Sequence, residues 1–163
     1  MKGDAKVMVA LQAAIALEGT LAAMYCINSI DQKRLGLHTG GELHEFASQC
    51  KEYRQDMVRR LFFLEGDPEL SMEPAKAPDT IKAALEALLA KELAAISQYQ
   101  AAVKLCWEAG DMSNFHWFQH MTKWHEIGDD KYKGHVAYLQ KEIWQMEQLG
   151  EADYVAVHLG PKA

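Results

Sequence analysis

The sequence predicts an all-α protein: an antiparallel four-helix bundle with one long crossover and a short C-terminal fifth helix. Three observations carry this. Four long segments repeat apolar residues at alternating steps of three and four, the period of a buried helical seam. β-branched residues are sparse, and no alternating strand pattern occurs. Of the three breaks between the segments, two are short and one is long, so neighbours run antiparallel and one connection crosses the bundle end.

The first helix is expected over about 4–33, with Asp4 as N-cap and LGLHTGG as the break. The second is expected over 42–65, stopped at LEGDP by Gly66 and Pro68. The crossover DPELSMEPAKAPDT follows, carrying Pro68, Pro74 and Pro78. The third helix is expected over 79–109, with Gly110 as its stop, and the fourth as one run over 113–149, ended by Gly150. The amphipathic tail EADYVAVHLG supplies a short fifth helix over 151–158. With 163 residues, 49% of them hydrophobic, the chain reads as one domain, 1–163, with a core of its own.

Composition excludes several functions. A formal net charge of -6 argues against a nucleic-acid partner. No signal peptide is evident and no apolar run of membrane-span length is expected, so no membrane association is predicted. Cys26, Cys50 and Cys106 are odd in number and widely spaced, which argues against disulfides and for a reducing, cytoplasmic location.

The seams carry the chemistry. On helix one the seam reads Met8, Leu11, Ile15, Glu18, Ala22, Tyr25. On helix three it reads Ile81, Leu85, Leu88, Glu92, Ala95, Tyr99, Ala102, Cys106. Each holds one carboxylate, followed seven residues later by a tyrosine. A buried carboxylate needs a cation, a proton or hydrogen-bond donors, and two on facing seams can share a metal. Helix two contributes Cys50 and Tyr53, and helix four His125, Gly128, Tyr132 and His135. The inner polar set is therefore Glu18, Cys50, Tyr53, Glu92, His125, Tyr132 and His135. His116 and His120 read as a solvated, aromatic-rich helix face. Trp107, Trp117, Trp124 and Trp144 pack a core or a subunit interface.

MKGD at the start, ALE with Glu18, MY with Tyr25, RRLFFLEGDPEL, LAKEL with Glu92, EAGD and QLGEADY together resemble bacterioferritin, of the ferritin-like superfamily. The resemblance implies self-association into a large hollow shell that stores ferric mineral. It also implies a di-iron ferroxidase centre, built from one glutamate on each of two helices and a Glu-x-x-His pair on each of the other two. Glu18 and Glu92 fall on the single-glutamate positions and Tyr25 beside the centre, with Tyr99 a second neighbouring tyrosine. Counting back from RRLFFLEG puts the first pair at Cys50 and Tyr53. Counting back from QLGEADY puts the second at Tyr132 and His135. Counting forward from EAGD puts it at His125 and Gly128 instead. The segment between Asp111 and His135 is longer than the family pattern by about seven residues, nearly two helical turns, which keeps the seam in phase. The backward count is the expectation, because added length at the turn disturbs a bundle least. The family's haem is held by a methionine whose place is Lys51 here.

On this reading Glu18, Glu92 and His135 hold one divalent ion, with Cys50, Tyr53, His125 and Tyr132 as further candidate ligands and iron as the cofactor, mononuclear or dinuclear. The expected function is an iron-storage or iron-handling shell subunit with an incomplete ferroxidase centre, its oxidase activity weak or lost. It either assembles alone or co-assembles with a paralogue. Two alternatives stand beside it: an oxidase with a rebuilt centre using Cys50 and the tyrosines, and a metal-free structural or partner-binding bundle subunit.

Overall fold

The computed structural model describes residues 2–159 as six helices. Helix α1, Ala5–Arg34, starts where the Asp4 side chain accepts hydrogen bonds from the Lys6 and Val7 amides, at 2.8 and 3.3 Å. These are amide donors that the first helical turn leaves without partners. Helix α2, Thr39–Phe63, turns back along α1. Helix α3, Ile81–Glu108, is capped by the Thr80 hydroxyl, which accepts from the Ala83 amide at 3.1 Å. Helix α4, Met112–Glu126, is capped by Asp111, which accepts from the Asn114 amide at 3.0 Å. Helices α5, His135–Leu149, and α6, Glu151–His158, complete the chain. The pairs α1–α2 and α3–α4/α5 pack together through α1 and α3, as predicted for a four-helix bundle with an added terminal helix. Among the described residues no strand forms, only two isolated bridges.

The crossover between α2 and α3 is irregular but fastened. Gln12 of α1 donates to the Glu69 carbonyl at 2.7 Å and accepts from the Glu69 amide at 2.9 Å. Further along, the Glu73 amide donates to the Thr20 hydroxyl at 3.0 Å, and Lys91 of α3 pairs with the Glu73 carboxylate at 2.7 Å. At the far end, Tyr154 of α6 is fully buried and donates to the buried Glu142 of α5 at 2.6 Å, which docks the terminal helix on the bundle.

Two expectations need correction. Helix α1 is long and apolar enough to cross a membrane by length and composition, contrary to the sequence reading. Here half of that stretch is buried against the bundle, with Glu18 at its middle. The predicted single fourth helix is broken into α4 and α5 by a loop over 127–134. The added length therefore sits mid-bundle and not at the turn. The loop is tightly built: Asp129 accepts at 2.8 Å from both the Lys131 and Tyr132 amides, and its own amide donates to the Tyr132 carbonyl at 2.8 Å. Its base is pinched between two glycines. A Cβ on Gly128 would lie 2.1 Å from the Tyr132 carbonyl oxygen, and one on Gly134 would lie 2.3 Å from the Ile127 carbonyl carbon. The chain leaves and re-enters the helical path at almost one point.

Gly128 has a φ of +72°, so a side chain there meets both backbone strain and a backbone clash. Gly128→Ala is expected to destabilise the protein by about 2 kcal/mol or more in denaturant unfolding. Gly41→Ala, in open space within α2, is expected to be neutral or stabilising by about 0.5 kcal/mol. Equal effects of the two substitutions would contradict this account of the loop.

Candidate metal centre

Glu18 and Glu92 face each other from the middles of α1 and α3, and both are fully buried. Their tyrosine partners are crossed. Tyr25 of α1 donates to Glu92 Oε1 of α3 at 2.5 Å, and Tyr99 of α3 donates to Glu18 Oε1 of α1. The seven-residue spacing read on each seam thus delivers a hydroxyl to the opposite helix. Two turns along one helix bring a residue back to the same face, level with a different point of its neighbour.

The loop over 127–134 places both histidines at this centre. His125 lies in the last turn of α4 and His135 begins α5. His125 Nδ1 is 2.6 Å from Glu92 Oε2, and its Nε2 is 2.9 Å from Glu18 Oε1. His135 Nδ1 is 2.8 Å from Glu92 Oε1. The two rings pack edge to face with centroids 4.8 Å apart. One ligand atom from each of Glu92, His125 and His135 lies within 4.8 Å of the others, and all three residues are buried. Two imidazoles and one carboxylate are a donor set suited to a divalent ion.

The competing registers for the second pair each supply one residue. The loop removes about seven residues, two helical turns, from the path between His125 and His135. That leaves the two side chains at the spacing of a pair three apart on one helix face. Tyr132, expected on the seam, stands in the loop instead, half-buried, with the Lys131 ammonium 4.8 Å from its ring centre.

Helix α2 closes the centre without a carboxylate or a histidine. Cys50 is fully buried. Tyr53 is buried, but its ring stacks on Trp124 at 5.3 Å with an interplanar angle of 12°, and lies 5.7 Å from the His125 ring. Gln49 went unnoticed in the sequence because it stands one residue off the seam. Its amide oxygen is 2.9 Å from His135 Nε2, and it is buried. His116 and His120 are exposed, as expected. Trp107 and Trp144 are 63% and 60% exposed, so neither packs this chain's own core. Lys51 is exposed beside a groove of about 360 Å³ shared with Arg54, Gln55, Val58, Arg59 and Leu70. That lining contains no sulfur donor, and Met57 of the same helix is buried in the core. These residues do not fit a methionine-ligated haem.

The electrostatics follow from burial. Burial by itself raises a carboxyl group, but the facing His125, and then His135, outweigh it and hold Glu92 well below the usual carboxylate range. Burial disfavours the His125 imidazolium, but Glu92 and then Glu18 override that and push the ring up to about 10. Burial, then the charge of Glu18, pushes the Cys50 thiol up. Burial and the nearby carboxylates likewise raise Tyr25 and Tyr99, which stay as hydroxyl donors. In the metal-free protein a proton on His125 thus neutralises charge that a metal ion would otherwise balance.

This gives a signed pH dependence. His125 is raised from 6.5 to about 10, so the stability it contributes is complete below pH 6.5 and is lost as pH rises through about 10. The metal-free protein is expected to show a falling denaturation midpoint across that window, and His125→Gln is expected to flatten the fall. A midpoint that stays constant over the window in the unmodified chain would contradict the assignment.

Comparison with known proteins agrees with this architecture. A family model described as a ferritin-like domain matches residues 8–151. Bacterioferritin of Rhodobacter capsulatus is 29% identical over 163 residues, covering 99% of this chain and 97% of that protein. A solved structure of Rhodobacter capsulatus bacterioferritin, with a metal-free dinuclear site and a haem iron, superposes with a TM-score of 0.91 over 99% of this chain and 98% of its own, at 29% identity. The chain belongs to the ferritin family, as a homologue of bacterioferritin.

Proposed function

We propose that this protein is an iron-handling subunit of a hollow bacterioferritin-like shell, and that its bundle centre holds a single divalent ion in place of an oxidising iron pair. The observation that supports this reading is the Glu92 carboxylate bracketed by His125 and His135, with ligand atoms within 4.8 Å of one another. Glu18 stands across from them as a fourth candidate ligand, its Oε1 2.9 Å from His125 Nε2.

The bacterioferritin pattern has carboxylates that bridge two irons. Here α2 supplies Cys50 and Tyr53 at the first pair, and His125 stands where the second pair's carboxylate is expected. Two ferrous ions need bridging anions to offset their mutual repulsion, and neither bridge is present. One ferrous ion releases one electron, whereas reduction of dioxygen to hydrogen peroxide takes two. Rapid ferrous oxidation at this centre is therefore disfavoured, and iron storage is the role that remains for the shell. Large exposed apolar residues support burial in an assembly: Phe63 is 68% exposed, and Trp107 and Trp144 are similarly bare. Cys26, Cys50 and Cys106 are all free thiols, which supports a cytoplasmic location.

The test is aerobic addition of ferrous iron, followed by ferric absorbance. The unmodified protein is expected to oxidise iron slowly. The triple variant Cys50→Glu, Tyr53→His, His125→Glu is expected to gain oxygen-dependent oxidation, and adding Glu92→Ala to it to abolish that gain. Equal rates in the unmodified protein and the triple variant would contradict the reading.

A further inference from the structure

We infer that Gln49 is a positioning residue for the metal centre: its side-chain oxygen holds Nε2 of His135, which presents Nδ1 as that histidine's ligating nitrogen. This rests on the single-ion reading above and assigns how His135 serves it.

The two histidines of the centre are held differently. His125 meets a carboxylate at each ring nitrogen, Glu92 Oε2 2.6 Å from Nδ1 and Glu18 Oε1 2.9 Å from Nε2. His135 meets a carboxylate at Nδ1 and an amide at Nε2. Its Nδ1 is 2.8 Å from Glu92 Oε1, and its Nε2 is 2.9 Å from Gln49 Oε1. An amide oxygen accepts and cannot donate, so Nε2 carries the hydrogen of that bond. Nδ1 is then the nitrogen turned to Glu92.

Neither the backbone nor the packing fixes this orientation. His135 is the first residue of α5, so no preceding helical turn supports its side chain. The Phe46, His125 and Tyr25 rings lie 4.3, 4.8 and 5.4 Å from its ring and confine its plane. Such packing is nearly indifferent to a half-turn of the imidazole, which would put a C–H where Nδ1 stands. The contact with Glu92 distinguishes the two orientations in the metal-free protein, but it is the contact that metal binding exchanges. The contact with Gln49 lies on the other side of the ring and serves both states. Gln49 is 7% exposed and His135 1%, so the bond is sheltered at the edge of the core.

A ligating histidine is commonly fixed through its other ring N–H, and losing the acceptor costs about 10- to 100-fold in metal affinity. The amide of Gln49 is a neutral acceptor. It orients His135 without adding another buried charge beside Glu18 and Glu92, both at 0% exposure.

The experiment is anaerobic titration of cobalt(II) into the full-length, chelator-treated protein. Its visible ligand-field bands are read in competition with a chelator of known affinity. The unmodified protein is expected to saturate at one equivalent per chain. Gln49→Leu keeps the bulk and removes the acceptor, and is expected to weaken binding about 10- to 100-fold. Gln49→Ala is expected to weaken it similarly and serves if the leucine variant does not fold. Gln49→Glu keeps an acceptor and is expected to bind at least as tightly as the unmodified protein. A merely space-filling role would give the reverse order, with leucine tolerated and glutamate harmful. In a His135→Ala background, removing the Gln49 acceptor is expected to cost nothing further. Unchanged affinity without the acceptor, a loss in Gln49→Glu as large as in Gln49→Ala, or a full further loss in the His135→Ala background would each overturn the assignment and leave the single-ion reading standing. An absence of any cobalt spectrum in the unmodified protein would overturn the single-ion reading and this inference together.

Discussion

Two carboxylates buried in a four-helix core are the constraint on which this structure turns. Glu18 and Glu92 are both at 0% exposure, and removing such charges from water costs far more than any single packing contact returns. The surroundings offset that cost in layers. Crossed tyrosines give each carboxylate a hydroxyl from the opposite helix. His125 lies within ion-pair distance of both, and His135 bonds to the second oxygen position of Glu92. Removing the histidines would leave charge that tyrosine hydroxyls alone cannot neutralise. On the proposed reading the same arrangement serves two states: a protonated imidazole satisfies it without metal, and a divalent ion would satisfy it with metal.

The loop at 127–134 is what makes this possible with two histidines. Cutting a helix in mid-bundle normally exposes backbone amides and carbonyls to an apolar core. Here the chain exits and returns between Gly128 and Gly134, and Asp129 satisfies the loop amides. A single outward excursion therefore carries the added length, and the core sees an almost continuous helix. The Asp129 carboxylate also accepts from the Trp124 indole at 3.2 Å, which ties the loop to the ring that holds Tyr53. The loop thus fixes the α4 end, the Tyr53 stack and the aim of His125 together.

The legible part of this molecule is what periodicity controls. Glu18, Tyr25, Glu92 and Tyr99 were readable because α1 and α3 are unbroken, so their seam phase is also their geometry. The helix break was hidden for the same reason. An insertion of about two turns preserves the seam, so Gly128, Tyr132 and His135 continued to look like inward positions. The local sequence did carry a warning in Ile127-Gly128-Asp129-Asp130, a turn signature with a glycine suited to positive φ. Weighing that signature above the period would have placed Tyr132 in a loop. Gln49 escaped because its role depends on a partner across the bundle, and no single-helix pattern reports that. The cysteine at position 50 was visible as an inward residue, and it is fully buried on α2.

The central claim is that one ion, held by Glu92, His125 and His135, replaces an iron pair. Its most direct test is an anomalous diffraction map from crystals of the assembled protein soaked in a divalent ion. The account predicts one anomalous peak per chain, bonded to those three residues and within reach of Glu18. Two peaks separated by a bridging distance, or no peak in a crystal shown to have taken up the ion, would contradict it.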